Sequence, residues 1–293
     1  MESTEKQKQL GFLMVMLAGA LWGTTGTITK FIYSYGVDPQ TLSLLRIGIS
    51  FFSLLAFALL TGRKIRVKRQ HILFFLAFGA VSVAGFNVFY LTAIQLTTVT
   101  TAVVLLYTAP AFSLLAARII LKESLTVRKM LALLSTFAGI ILVVEAYRPG
   151  QLQLSVPGIL AGLGSGVTFG LYSVFTKGAI RRGYTTLETV ILALGAAVLF
   201  LSVVQPPWRL VSLAGEPFIL WILLVSVAVF STMLAYVFFV TGLVHVDAGR
   251  ATLVAAVEPV VAIIAAMIFL GETITFVQFI GIIAVLAAIR FQA

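Results

Sequence analysis

Ten apolar stretches, each close to the roughly twenty residues an α-helix needs to cross a bilayer, constrain this chain more than any other feature. They fall at about residues 10–31, 41–61, 72–94, 98–120, 127–146, 156–178, 187–205, 217–242, 249–270 and 274–291. Little of the 293-residue chain remains outside them. Its hydrophobic share is 60% and its charged share 10%, and mean hydropathy is +1.11. A water-soluble domain must present polar groups to solvent. The pattern therefore predicts an all-α, multi-pass protein in a lipid bilayer, with ten transmembrane helices and no sizeable domain outside the membrane.

Short connections make neighbouring helices antiparallel, and the basic residues then set their direction. Of the 20 Lys and Arg, sixteen fall on one side: Lys6, Lys8, Arg63, Lys64, Arg66, Lys68, Arg69, Arg118, Lys122, Arg128, Lys129, Lys177, Arg181, Arg182, Arg250 and Arg290. Only Lys30, Arg148 and Arg209 fall on the other, while Arg46 lies inside the second stretch. Cytoplasmic loops collect Lys and Arg, which predicts cytoplasmic termini. The same rule explains the net charge of +10 without nucleic acid as a partner. The first stretch is too long for the apolar part of a signal peptide and has no small-residue cleavage site before Lys30. Cysteine is absent, which removes disulfides, thiolate metal sites and thiol nucleophiles. His71 and His245 are both expected in short loops, so neither a metal nor another cofactor is expected.

The chain is also written twice. At an offset near 148, "WGTTGTITK" (22–30) lies over "FGLYSVFTK" (169–177), and "PAFSLLAARIILKESLT" (110–126) lies over "PVVAIIAAMIFLGETIT" (259–275). Pro110 thus pairs with Pro259, Glu123 with Glu272 and Thr126 with Thr275, and "YLTA" (90–93) falls over "FVTG" (239–242). Residues 1–148 and 149–293 each hold five stretches. Five is odd, so the second half enters the membrane inverted relative to the first. Two inverted five-helix repeats are an architecture of alternating-access transporters, in which the substrate sits near the midplane where the halves meet.

Halves that open on "WG…TK"-like residues and close on a proline-bearing stretch followed by "LKESLT" or "LGETIT" resemble the EamA-type drug/metabolite transporter superfamily over essentially the whole chain. Within it the sequence looks most like the amino acid exporters, including those for aromatic amino acids. The resemblance implies a monomer in the bacterial inner membrane that exports a small-molecule substrate of the amino-acid class, with broad specificity for large neutral or aromatic side chains. Other branches carry further metabolites, drugs, or nucleotide and phosphorylated sugars.

Candidate binding residues follow from repeat-related positions three or four residues apart, which share a helical face. Trp22 and Thr25 are matched by Phe169 and Tyr172; Asn87 and Tyr90 are matched by Tyr236 and Phe239; Tyr107 lies one turn before Pro110. These residues mix aromatic rings with a few orienting polar groups, as a largely apolar ligand pocket requires. Glu258 interrupts the apolar run "AAVEPVVAIIAAMIFLGE" (255–272), and its repeat partner is Ala109. An intramembrane acid is by default a candidate for substrate or proton binding. Its face is expected to read Ala251, Ala255, Glu258, Ala262, Ala266. Pro110 and Pro259 are expected to bend their helices as hinges. Gly158, Gly162, Gly166 and Gly170, with Gly11, Gly19 and Gly23, are expected to be close-packing surfaces. Glu123 and Glu272 are expected to act structurally at helix ends.

No motif argues for catalysis: HExxH, GxSxG, a phosphate-binding glycine loop and paired buried carboxylates are all missing. A membrane-embedded enzyme acting on lipid-linked substrates would need polar residues clustered at one membrane face. A dianionic sugar phosphate would need several intramembrane cations, and Arg46, Lys30 and Lys177 read as too few and too near the ends.

Overall fold

The computed structural model describes residues 4–150, 152, 155–206, 213, 215–271 and 273–292, and among them the regular structure is entirely helical. Glu272 and Arg209 lie outside the described residues. In chain order the helices are α1 (Glu5–Tyr33), α2 (Pro39–Leu60), α3 (Arg69–Leu96), α4 (Thr101–Leu121), α5 (Val127–Val143), α6 (Val156–Arg181), α7 (Thr186–Val204), α8 (Phe218–His245), α9 (Ala248–Phe269) and α10 (Phe276–Gln292). Eight are long and apolar enough to span a membrane. The expected fifth and tenth spans, α5 and α10, are 17-residue helices. At 1.5 Å per residue each is about 25 Å long, somewhat short of a hydrocarbon core of about 30 Å. They pack on one another.

Polar side chains start the helices where orphan N–H groups need acceptors. Thr4 and Thr185 form reciprocal capping boxes with Gln7 and Glu188, and Asp38, Thr126 and Ser155 cap α2, α5 and α6. The repeat is visible in the stops as well. Helix α4 ends on Lys122 at φ 60° and α9 on its repeat partner Gly271 at φ 68°, both left-handed. Glycine adopts that conformation freely, whereas in a lysine it costs about 1–2 kcal/mol.

Packing is closed under exchange of the two halves. Helix α1 lies on α8 and α9, and its counterpart α6 lies on α3 and α4; α2 packs on α7 and α8, and α7 packs on α2 and α3. Glycines permit the close approaches, as expected. A Cβ on Gly11 would meet Val246 and His245 at 2.8 and 2.9 Å, and one on Gly162 would meet Leu105 at 2.4 Å.

At the basic end, Arg181 donates to the Leu121 carbonyl, the Lys68 amide donates to the Tyr184 hydroxyl, and Glu123 accepts from the amide of Ala248. At the opposite end, Gln205 donates to Thr41, Ser155 to the Leu96 carbonyl, and Thr275 to Glu145.

Three local expectations need correction. Lys129 is no loop charge: it is 1% exposed on α5, donates to the Ser124 carbonyl at 2.9 Å, and lies 3.9 Å from Glu123 and 3.5 Å from Asp247. His71 lies in the first turn of α3 and His245 is the last residue of α8, so neither is a loop residue. Helices α3 and α8 are not uniform, since each contains a wide π-type segment, Phe78–Gly85 and Val229–Leu234, at repeat-related places. The widened turn in α8 frees the Val227 carbonyl, which accepts from the Thr232 hydroxyl at 3.1 Å. Such turns need no proline and recur at functional sites.

Candidate functional site

Both prolines interrupt the α-helical hydrogen-bond ladder of their helices at matching places. Helix α4 is interrupted at Tyr107–Thr108 and α9 at Ala256–Val257, and each resumes with proline in its first turn. Proline lacks the N–H that would continue the ladder and crowds the preceding turn. Tighter bonds take over at matching places, from Thr108 N to the Leu105 carbonyl at 3.1 Å and from Val257 N to the Val254 carbonyl at 3.2 Å. Glu258 is therefore separated by this interruption from Ala251 and Ala255, with which it is expected to share a face. It is the first residue of a half-helix, beyond a break.

The widened turns and the breaks bring most of the candidate residues together. The Trp22 ring lies 5.7 Å from Phe169, 5.8 Å from Tyr236 and 5.3 Å from Phe239. Tyr172 extends this group through Tyr236 at 5.0 Å. Tyr90 stacks on Phe86 at 5.6 Å, and Phe86 meets Phe169 at 5.4 Å. Edge-to-face and offset contacts of this kind add stability beyond area burial and hold the rings in place. Tyr172 and Phe239 are only 2% exposed, so they form the wall behind the others. Thr25 is half-buried on α1, about one turn from Trp22.

A polar group borders the rings. Tyr107, Glu258 and Arg46 lie near one another and near Tyr90 and Tyr236. Asn87 is buried, donating to the Val83 carbonyl at 2.8 Å and accepting from Arg46 Nη2 at 3.3 Å. It holds Arg46 rather than standing open to a ligand. Arg46 and Phe86 join the site although neither is among the candidates that repeat-related faces supply. The seventh residue after Pro39 lies about 10 Å into its helix, so Arg46 stands about a third of the way along α2. Its position within a predicted span is the signal in the sequence that marks it.

Exposure along α1 is not confined to one face. Leu13, Leu17 and Phe31 are exposed on one face, as expected against lipid. At 100° per residue, Trp22, Gly26 and Tyr33 lie on the opposite face, which packs inward. Yet Trp22 is only half-buried, and Tyr33 is 41% exposed. Gly26 is exposed, and a Cβ added there would meet nothing within 4 Å. That inward face is therefore accessible toward the end that holds Asp38, as a chamber between the halves would make it. Arg46, Tyr90 and Glu258 are likewise only half-buried.

The basic end is sealed. Phe78 and Thr176 are fully buried, and Ser113, Ser173 and Thr252 form a buried hydroxyl cluster at 2.7–3.1 Å. The repeat partner of Ser173 is Gly26, on the open side. A separate cleft of about 40 Å³ between α2, α3 and α7, lined by Gln40, Ser43, Asn87 and Gln205, has room for about three waters. Among the described residues no three His, Asp or Glu converge as a metal site.

Comparison with known proteins agrees in fold and class. The EamA-like transporter family matches twice, over residues 9–145 and 156–291. An uncharacterized transporter of Archaeoglobus fulgidus is 28% identical over 90% of each chain. The uncharacterized transporter YyaM of Bacillus subtilis is 25% identical over 96% of this chain and 93% of that one. The uncharacterized inner membrane transporter YicL of Salmonella typhimurium is 23% identical over 99% of this chain and 95% of that one. A protein of known crystal structure superposes with a TM-score of 0.79 over 99% of this chain and 96% of the other, at 20% identity, a likeness of fold alone.

Proposed function

The chain belongs to the EamA-like transporter family, and from that premise we propose that it exports amino acids, with preference for large neutral or aromatic side chains, by alternating access. The observation that carries this reading is the ring system around Trp22, to which both halves contribute, beside the polar group of Arg46, Tyr107 and Glu258. Flat or apolar side chains fit the rings, and the polar edge suits a charged backbone. This pocket composition is usual for small-molecule sites.

In this reading residues 1–148 and 149–293 are inverted repeats of five spans each, and α5 and α10 complete the ten. The protein works as a monomer in a bacterial inner membrane, the setting that the name of the Salmonella relative gives for that protein. Both termini are cytoplasmic because the basic end then faces the cytoplasm. The structure then corresponds to the outward-open state, with the chamber open outside and the cytoplasmic end sealed. Export requires the reverse state, in which the seal of Ser113, Ser173 and Thr252 parts and the Gly26 side closes. The breaks before Pro110 and Pro259 are the places where half-helices can swing.

Counterflow of labelled phenylalanine in proteoliposomes, followed by a panel of labelled metabolites, tests the proposal. The expected result is uptake of large neutral amino acids, reduced in Trp22→Ala and Tyr90→Ala but retained in Leu55→Ala. Uptake of other panel members with none of amino acids would overturn the substrate assignment while leaving the transporter class intact.

A further inference from the structure

We infer that Arg46 and Glu258 are the two poles of a zwitterion site, Arg46 taking a substrate carboxylate and Glu258 its ammonium group. This deepens the amino-acid reading and rests on it for the substrate class.

Four observations carry the inference. First, the two charges are opposite in sign, and among the described residues no ion pair joins them. Charges withdrawn from water are costly unless paired, and a ligand bearing both signs neutralises both poles at once. A simple anion would leave Glu258 unpaired, and a simple amine would leave Arg46 unpaired.

Second, Arg46 is held but not saturated. Asn87 takes one terminal nitrogen, while Nε is buried without a partner. The planar guanidinium is suited to bidentate binding of a carboxylate. Third, both side chains are half-buried, and each is tied to the rings that would receive the substrate side chain: Arg46 is held by Asn87, about one turn before Tyr90, and the Glu258 backbone lies against Gly23, next to Trp22.

Fourth, neither charge belongs to the repeated frame. The partner of Glu258 is Ala109, and whichever of Ala193 and Leu194 is matched to Arg46 is apolar. Each half carries one added charge, so the pair exists only where the halves meet. Duplication explains the surrounding frame and explains neither pole.

The test uses three compounds sharing one phenyl side chain: phenylalanine, 2-phenylethylamine and 3-phenylpropanoate. Each competes against labelled phenylalanine in counterflow, and binding to the purified protein is read in parallel as a thermal shift, which does not need turnover. Wild-type protein is expected to prefer phenylalanine by about tenfold or more, equivalent to about 1.4 kcal/mol. Arg46→Gln should lose that preference and favour the amine. Glu258→Gln should lose it in the opposite sense and favour the acid. Arg46→Lys and Glu258→Asp, which keep charge, should retain the wild-type ranking at weaker affinity, and they carry the test if a Gln variant does not fold. An unchanged ranking in the Gln variants, or a changed one in the charge-keeping variants, overturns the two-pole site while leaving amino-acid export standing. Failure of wild-type protein to respond to any amino acid overturns both.

Discussion

Gly23 lies directly against the backbone carbonyl of Glu258: a Cβ on that glycine would come within 2.6 Å of the oxygen. Its repeat partner Gly170 stands in the same relation to the carbonyl of Ala109, also at 2.6 Å. A glycine of α1 therefore covers the break in α9, and a glycine of α6 covers the break in α4. Each break is buttressed from the other half of the chain.

Gly23→Ala and Gly170→Ala must each displace backbone rather than a flexible side chain. Each is expected to cost about 1–3 kcal/mol, the usual range for overpacking, and to lower the unfolding temperature of the purified protein. Gly26→Ala meets open space. It should leave stability unchanged or raise it, since alanine is favoured over glycine in a helix by up to about 1 kcal/mol. Equal behaviour of all three would show that the breaks are not supported in this way.

Glu123 joins the halves at the basic end by accepting from the Ala248 amide at 3.0 Å while standing 3.9 Å from the buried Lys129 ammonium. Glu123→Ala removes a helix cap and one partner of a buried cation, so a loss of about 3 kcal/mol is expected. Lys129→Met in the same protein should recover part of it, because the uncompensated charge is then gone. A double-mutant cycle on unfolding temperatures reads the coupling, and strict additivity would contradict it.

Asp38, outside the helical spans, supplies a pH dependence. Partial burial raises its carboxyl pKa, but bonds from the Thr41 hydroxyl and from the amides of Thr41 and Gln40 outweigh this and hold it below the ordinary value. A carboxylate depressed on folding stabilises above its unfolded pKa, and the gain is lost as pH falls through the folded value. The stability gap between wild-type protein and Asp38→Ala should therefore be constant above about pH 4 and close below it. A gap that closes as pH rises would contradict the cap.

Much of the frame is legible in the sequence because the bilayer demands it. Helix length, antiparallel order and glycine ladders are composition-level consequences of spanning lipid. The duplicated prolines mark the two special places in α4 and α9. The π-type segments in α3 and α8 leave no mark, because nothing in Phe78–Gly85 or Val229–Leu234 differs in residue type from ordinary helix. Trp22, Phe169, Tyr236 and Phe239 follow from repeat-related faces, and they do meet. Arg46 is easily undervalued, because one cation is too few for a dianion while a single cation opposite Glu258 suits a zwitterion. Lys129 reads as a loop charge because its partners, Glu123 and Asp247, are brought to it by tertiary structure.

The central claim is a chamber between inverted halves that opens to one side at a time, and repeat partners Gly26 and Ser173 test it most directly. The chain has no native cysteine, so Gly26→Cys and Ser173→Cys each report alone to a membrane-impermeant maleimide. In resting protein, the position 26 variant should react from outside, because Gly26 is exposed, and the position 173 variant should be protected, because Ser173 is 1% exposed. During turnover with a transported amino acid, position 173 should become reactive from the cytoplasm while position 26 becomes protected. Reaction of both positions from the same side, or no change during turnover, would contradict the account.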